Sequence, residues 1–192
     1  MDETAALKAY NSIYLEVIMR YRDYIEEKEG LYLADLPRLV TPGDEAVVLL
    51  ANDIKSRFPA YNYSSNFTEA ANLSYEYVRG KIIPVSIPVQ FWLRPAQTLK
   101  YGAGDVFDRA VLFCSTLIAL GGISSRVVVV IKGNERHFIV YSEFGDRIIA
   151  FDIEAGALAY GSLEAMLKSM RLEDDEDSAA YEFNDKMYRD LD

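Results

Sequence analysis

Residues 106 to 120 are apolar around most of a helical circumference, the pattern of a helix enclosed on every side rather than lying on a surface. A helix of that kind needs layers around it, so the segment fixes a central position in the fold. Gly121 and Gly122 stop it. The period then changes. Runs at 126–132, 135–141 and 147–153 are rich in β-branched and aromatic residues, with Gly133-Asn134 and Phe144-Gly145 between them. They predict three antiparallel strands joined by tight hairpins. The fold class that follows is α+β: N-terminal helices and a central buried helix packed on an antiparallel sheet.

The rest of the chain fits around that centre. Apolar and tyrosine positions from 4 to 28 predict a first helix ended by Gly30, and residues 31–40, with Pro37, a connector. Thr41-Pro42 reads as the N-cap and first position of a helix running to about Arg57. A loop at 61–66 precedes a third helix from about Thr68 to Val78, with Gly80 as its stop. Pro84, Pro88 and Pro95 predict an extended or irregular stretch over 81–100. A short helix is expected over 161–170. The acidic residues 173–192 are expected to be mobile or weakly helical. The divisions are therefore a helical extension (1–40), a core (41–172) and an acidic tail (173–192).

A net charge of −10 disfavours nucleic acid, whose phosphates call for clustered Lys and Arg, and disfavours an anionic membrane surface. A single cysteine, Cys114, allows no internal disulfide framework. Neither a basic leader nor an apolar span is evident, so a soluble cytoplasmic protein is expected. One histidine and one core cysteine cannot make a usual zinc set, and Asp105, Asp108 and Asp152 lack EF-hand spacing. No metal or cofactor is expected.

Chemistry concentrates at the start of the central helix. Asp105 is a natural N-cap with Asp108 three residues later, and Gly102 and Gly104 permit a tight turn and close backbone approach. Val106 follows the cap directly. There the free N–H groups and partial positive charge of a helix N-terminus would lower a thiol pKa and stabilise an oxyanion. A two-residue turn at Phe144-Gly145 places His137 directly opposite Asp152, within reach of a carboxylate–imidazole hydrogen bond. That pair is the base and orienting half of a catalytic triad.

The order Gly102-x-Gly104-Asp105-Val106-x-Asp108, a helix ending Leu120-Gly121-Gly122-Ile123, a strand with His137 and then Phe151-Asp152 resembles the transglutaminase-like superfamily of papain-like folds. The resemblance runs from about Thr41 to Gly156 and includes the approach through Trp92, Pro95 and Gln97. It implies a papain-like, transglutaminase-core fold, with His137 at the general-base position, Asp152 at the orienting acid, and Asp105 and Asp108 at structural aspartates. Trp92, Gly104 and Asp105 would belong to the substrate cleft. The family's nucleophile is a cysteine at the position of Val106, and valine forms no thiolate. Cys114 lies two helical turns deeper, where a thiol is a core residue.

Two functions follow from that departure. One is a catalytically silent module that binds a peptide or protein in a cleft retaining the His–Asp pair. The other is a cysteine-dependent amide hydrolase or acyl transferase whose nucleophile has been replaced by Val106. A structural or oligomerising role, drawing on the tyrosine-rich first helix, is a third.

Overall fold

The computed structural model describes residues 3–29, 33–89, 91–133, 135–169 and 178–191. Its elements in chain order are α1 (Glu3–Arg20), α2 (Arg22–Glu29), a 3₁₀ helix (Leu33–Leu39), α3 (Glu45–Ser56), α4 (Tyr63–Lys81), β1 (Ile83–Pro84), α5 (Pro95–Tyr101), β2 (Ala103–Gly104), α6 (Val106–Ala119), β3 (Arg126–Lys132), β4 (Glu135–Phe144), β5 (Arg147–Asp152), β6 (Gly156–Tyr160), α7 (Leu163–Ser169), β7 (Ser178–Phe183) and β8 (Tyr188–Asp190). The architecture is α+β. Six antiparallel strands lie in the order β6-β5-β4-β3-β7-β8.

Helix α6 is the hub, and every residue from Phe107 to Leu117 is buried. It packs on α3, α4 and α5 and on one face of the sheet. That face presents Val127, Val129, Val140, Phe151 and Phe183 to a core shared with Phe107, Phe113 and Cys114. The other face presents Val128, Val130, Ile139, Tyr141, Ile148 and Ala150 to a second cluster, which Met166 of α7 completes. Both faces of the central strands are therefore apolar, so β3 reads as a continuous valine run without alternation.

Several elements differ from the sequence reading. The first helix is interrupted at Tyr21. The 3₁₀ helix replaces a plain connector and places Leu36, Leu39 and Val40 in the core, so the segment before residue 41 is partly core itself. The cap of α3 is Asp44, whose side chain accepts from the Ala46 N–H, rather than Thr41. Helix α4 starts earlier than predicted, because Asn62 caps it through Ser64 N–H. It runs through Gly80, where an added Cβ would meet nothing within 4 Å, so the glycine is no stop. Part of the proline-containing stretch is helical, with Pro95 at the first turn of α5, a position that needs no N–H.

The largest difference lies at the C-terminus. Residues 178–183 and 188–190 are strands β7 and β8, and β7 pairs with β3 along six residues. The stretch expected to be mobile or weakly helical thus extends the central sheet, while residues 173–177 of it lie outside the described residues. Glu182 explains how an acidic strand tolerates that position. Its fully buried carboxylate accepts from Tyr141 Oη at 2.6 Å and pairs with Arg189 Nη2 at 2.6 Å. Buried charge is tolerable when paired and hydrogen-bonded in this way.

Candidate functional site at the N-terminus of α6

The start of α6 is fixed by reciprocal hydrogen bonds. Asp105 Oδ1 accepts from the Asp108 N–H at 2.8 Å, and Asp108 Oδ2 accepts from the Asp105 N–H at 3.0 Å. The second oxygen of Asp108 accepts from the Leu93 N–H at 2.8 Å. One buried carboxyl thereby ties the approach segment, with its neighbour Trp92, to the first turn of the helix. Burial, followed by the proximity of Asp105, pushes the Asp108 carboxyl up to about 7. Burial also raises that of Asp105.

The glycines have distinct roles. Gly102 ends α5 in the left-handed conformation, with φ of 62°, which a side chain would strain. A Cβ on Gly104 would stand 2.9 Å from Asp108 Cβ and 3.1 Å from Thr98 Cγ2. Gly104 is a packing residue beneath the cap, while its carbonyl accepts from the Val85 N–H at 3.1 Å in the short parallel pairing of β1 and β2.

Val106 is the first residue of α6 and lines two cavities. The first, of about 220 Å³, is walled by Trp92, Phe107, Phe138 and Tyr181, with Asp105 and Arg136 at its edge. Trp92 rests on Phe107 with ring centroids 5.1 Å apart. The second, of about 460 Å³, lies between Val106 and residues 84–87, with Arg109 and Glu154 also lining it. A larger hollow of about 580 Å³ sits at the β4–β5 turn, beside Phe144 and Arg147, and shares no lining residue with these two.

The strand register corrects the expected opposition of His137 and Asp152. Phe144 pairs with Arg147, so the turn is Gly145-Asp146, and Asp152 faces Ile139. Phe144 is held in the sheet because its ring packs against Tyr63 and Phe67 at 5.5 and 5.6 Å. That moves the register by two residues. His137 faces Val130, whose side chain belongs to the cluster on the α7 side, while its neighbour Phe138 packs with the α6 core. The imidazole is half exposed, with Nε2 3.8 Å from Glu135 Oε2. Asp152 Oδ1 accepts from the Glu154 and Ala155 N–H groups and shapes the turn after β5. The His137 side chain thus leaves β4 on the face of the sheet away from α6 and Val106, and the side chains of β4 that reach the Val106 cavity are Arg136 and Phe138. Cys114 is fully buried and burial pushes its thiol pKa far up, so it supplies no nucleophile.

Three residues of the site escaped the sequence reading. Phe138 alternates with Val140 on the α6 face, but Ile139 and Tyr141 are equally apolar, which hides the alternation. Tyr181 arrives on β7, from the acidic segment. Arg109 sits inside an otherwise apolar helix and is 6 % exposed, and an arginine within such a run was the available signal. Among the described residues no cluster of three His, Cys, Asp or Glu side chains can hold a metal ion, and no helix is long and apolar enough to cross a membrane.

The fold and the site together define an α+β protein with a cleft at the N-terminus of its buried helix. No protein-family model matches the chain, and comparison with curated proteins finds no match. Among solved structures it is similar to Legionella pneumophila LapG at 19 % identity, with a TM-score of 0.45, over 79 % of this chain and 88 % of that one. It is likewise similar to calcium-bound LapG at 16 % identity, with a TM-score of 0.47, over 75 % and 87 % of the two chains. The EGTA-treated form matches at 16 % identity and a TM-score of 0.46, over 80 % and 87 %.

Proposed function

We propose that the protein is a catalytically silent module of the transglutaminase-like type that binds a peptide or protein segment in the cleft beside Trp92. The observation that carries this reading is the apolar side chain of Val106 at the first position of α6. A nucleophile there would have the free N–H groups of the helix N-terminus beside it; a valine offers only packing surface. The walls favour the same reading, because Trp92, Phe138 and Tyr181 supply aromatic area, the surface type that anchors partners at interfaces. His137 adds no argument for chemistry in this cleft, since its strand turns it toward the other side.

The test is a Val106→Cys variant labelled with iodoacetamide as a function of pH, with and without His137→Ala, alongside a peptide-display selection on the unaltered chain. A silent module should give labelling insensitive to His137→Ala, since the helix N-terminus alone activates the thiol. The selection should enrich peptides whose binding falls with Trp92→Phe. Fast labelling at low pH that collapses with His137→Ala would refute the proposal and favour the alternative, a thiol hydrolase or acyl transferase that lacks its cysteine.

A further inference from the structure

On the far side of Val106 lies the cavity of about 460 Å³ between residues 84–87 and the first turn of α6, with Arg109 in its wall. Arg109 is 6 % exposed, and its Nε has no hydrogen-bond partner among the described residues. A buried donor left without an acceptor is costly, and more so when it is charged. Burial lowers the guanidinium pKa; Glu154 nearby favours the charged form, Arg79 opposes it and Tyr75 favours it. The buried guanidinium thus has a neighbouring cation, a solvent-exposed carboxylate and no acceptor on Nε.

We propose that this cavity is a carboxylate-binding site, with the Arg109 guanidinium as its anchor. Three observations select the ligand chemistry. A guanidinium presents a planar fork that matches a carboxylate through two parallel hydrogen bonds. Pro84, Val85 and Ile87, with Ser86 the one polar residue among them, line the same cavity and offer apolar surface to the carbon chain that carries the acid. Asp105 and Glu154 also line the cavity, and their negative charge disfavours a dianion such as phosphate more than a monoanion. The α6 N-terminus adds partial positive charge to the same space. A volume of this size exceeds the ~30 Å³ share of one water many-fold, so it admits a ligand of several heavy atoms. The carboxylate can come from a chain end or from an acidic side chain.

The experiment is an NMR titration of the intact ¹⁵N-labelled protein with N-acetylglycine, whose only ionisable group is its carboxylate, and with its neutral counterpart N-acetylglycinamide. The α-carboxamide of N-acetylaspartic acid, acidic only at its side chain, forms the third arm. We expect saturable shifts confined to the amides of residues 85–87 and 106–109, with at least about tenfold weaker binding of the neutral compound. Tighter binding of N-acetylglycine than of the aspartate compound assigns the site to chain ends, and the reverse to side chains. Arg109→Met should abolish the difference between acid and amide, and Arg109→Lys, which keeps the charge but not the fork, should lose most of it. Equal binding of acid and amide, absence of binding, or unchanged binding by Arg109→Met would each overturn the proposal. The acid-against-amide comparison needs no variant, so it stands even if a substitution at Arg109 impairs folding. Shifts at residues 85–87 and 109 report this cavity, whereas shifts at Trp92, Phe138 and Tyr181 would report the other, so failure here is separable from failure of the peptide-binding reading.

Discussion

Replacing Asp108 by Asn separates two forces that meet at the cap of α6. The Asp108 carboxyl is raised from the ordinary 3.8 to about 7 by burial and by Asp105, so between those pH values the folded chain holds a proton that the unfolded chain releases. The sign follows directly. This contribution to stability is complete below the unfolded pKa and is lost as pH rises through the folded one. Three pH units correspond to at most about 4 kcal/mol. Asp105, itself raised, shares in the same titration, so about 2 kcal/mol is the part expected from Asp108. Asparagine keeps an acceptor for Leu93 but turns an NH₂ toward the Asp105 N–H, a loss of about 1–3 kcal/mol. The wild-type chain should therefore exceed Asp108→Asn in stability at pH 4.5, and the gap should shrink by about 2 kcal/mol by pH 8. Paired urea unfolding curves at several pH values give that difference and cancel the titrating groups remote from Asp108, leaving Asp105 as the one neighbour whose titration the substitution also alters. A gap that widens with rising pH would refute the reasoning, because it would mean the helix N-terminus holds Asp108 as an anion.

Other perturbations test neighbouring links. Gly104→Ala drives a methyl into Asp108 Cβ at 2.9 Å and should cost about 1–3 kcal/mol, seen as a fall in Tm with α6 otherwise intact by circular dichroism. Glu182→Ala should cost about 3–5 kcal/mol, since it strands buried Tyr141 and two arginines; Glu182→Gln should cost clearly less, and equal losses would argue against the network. Removal of residues 1–29 should leave Tm within about 2 °C, because the aromatic and aliphatic side chains Tyr10, Ile13, Tyr14, Leu15 and Val17 are exposed. A large drop in a thermal melt would show that α1 stabilises the body.

What the sequence made legible was local chemistry. The Asp105–Asp108 capping box and the all-round apolar α6 depend on residues within a few positions of one another, and the side chains that satisfy the helix end are adjacent in the chain. The starts of β3, β4 and β5 were equally plain, since β-branched and aromatic runs alternate with turns. Register was not legible. It depends on whether Phe144 turns the chain or packs, and that is decided by Tyr63 and Phe67, some eighty residues away in sequence. The cost of misplacing it was not a lost strand but a lost relation: His137 and Asp152 remain on adjacent strands without facing each other.

The face of β4 was hidden for a related reason. A strand buried on both sides carries apolar residues at every position, so the two-residue period that would assign Phe138 to one side and His137 to the other is erased from the sequence. Burial on the second face comes from Met166 of α7. The first face is extended by β7, which brings Phe183 to the core and Tyr181 to the cleft from a segment whose acidity reads as solvated. Acidic composition misled because Glu182 is balanced by Arg126, Tyr141 and Arg189, brought together only by the sheet. The cleft beside Val106 is therefore assembled from an approach loop, a helix start and strands from two separate parts of the chain. A triad motif read along the sequence captures the helix start and misassigns the wall that faces it.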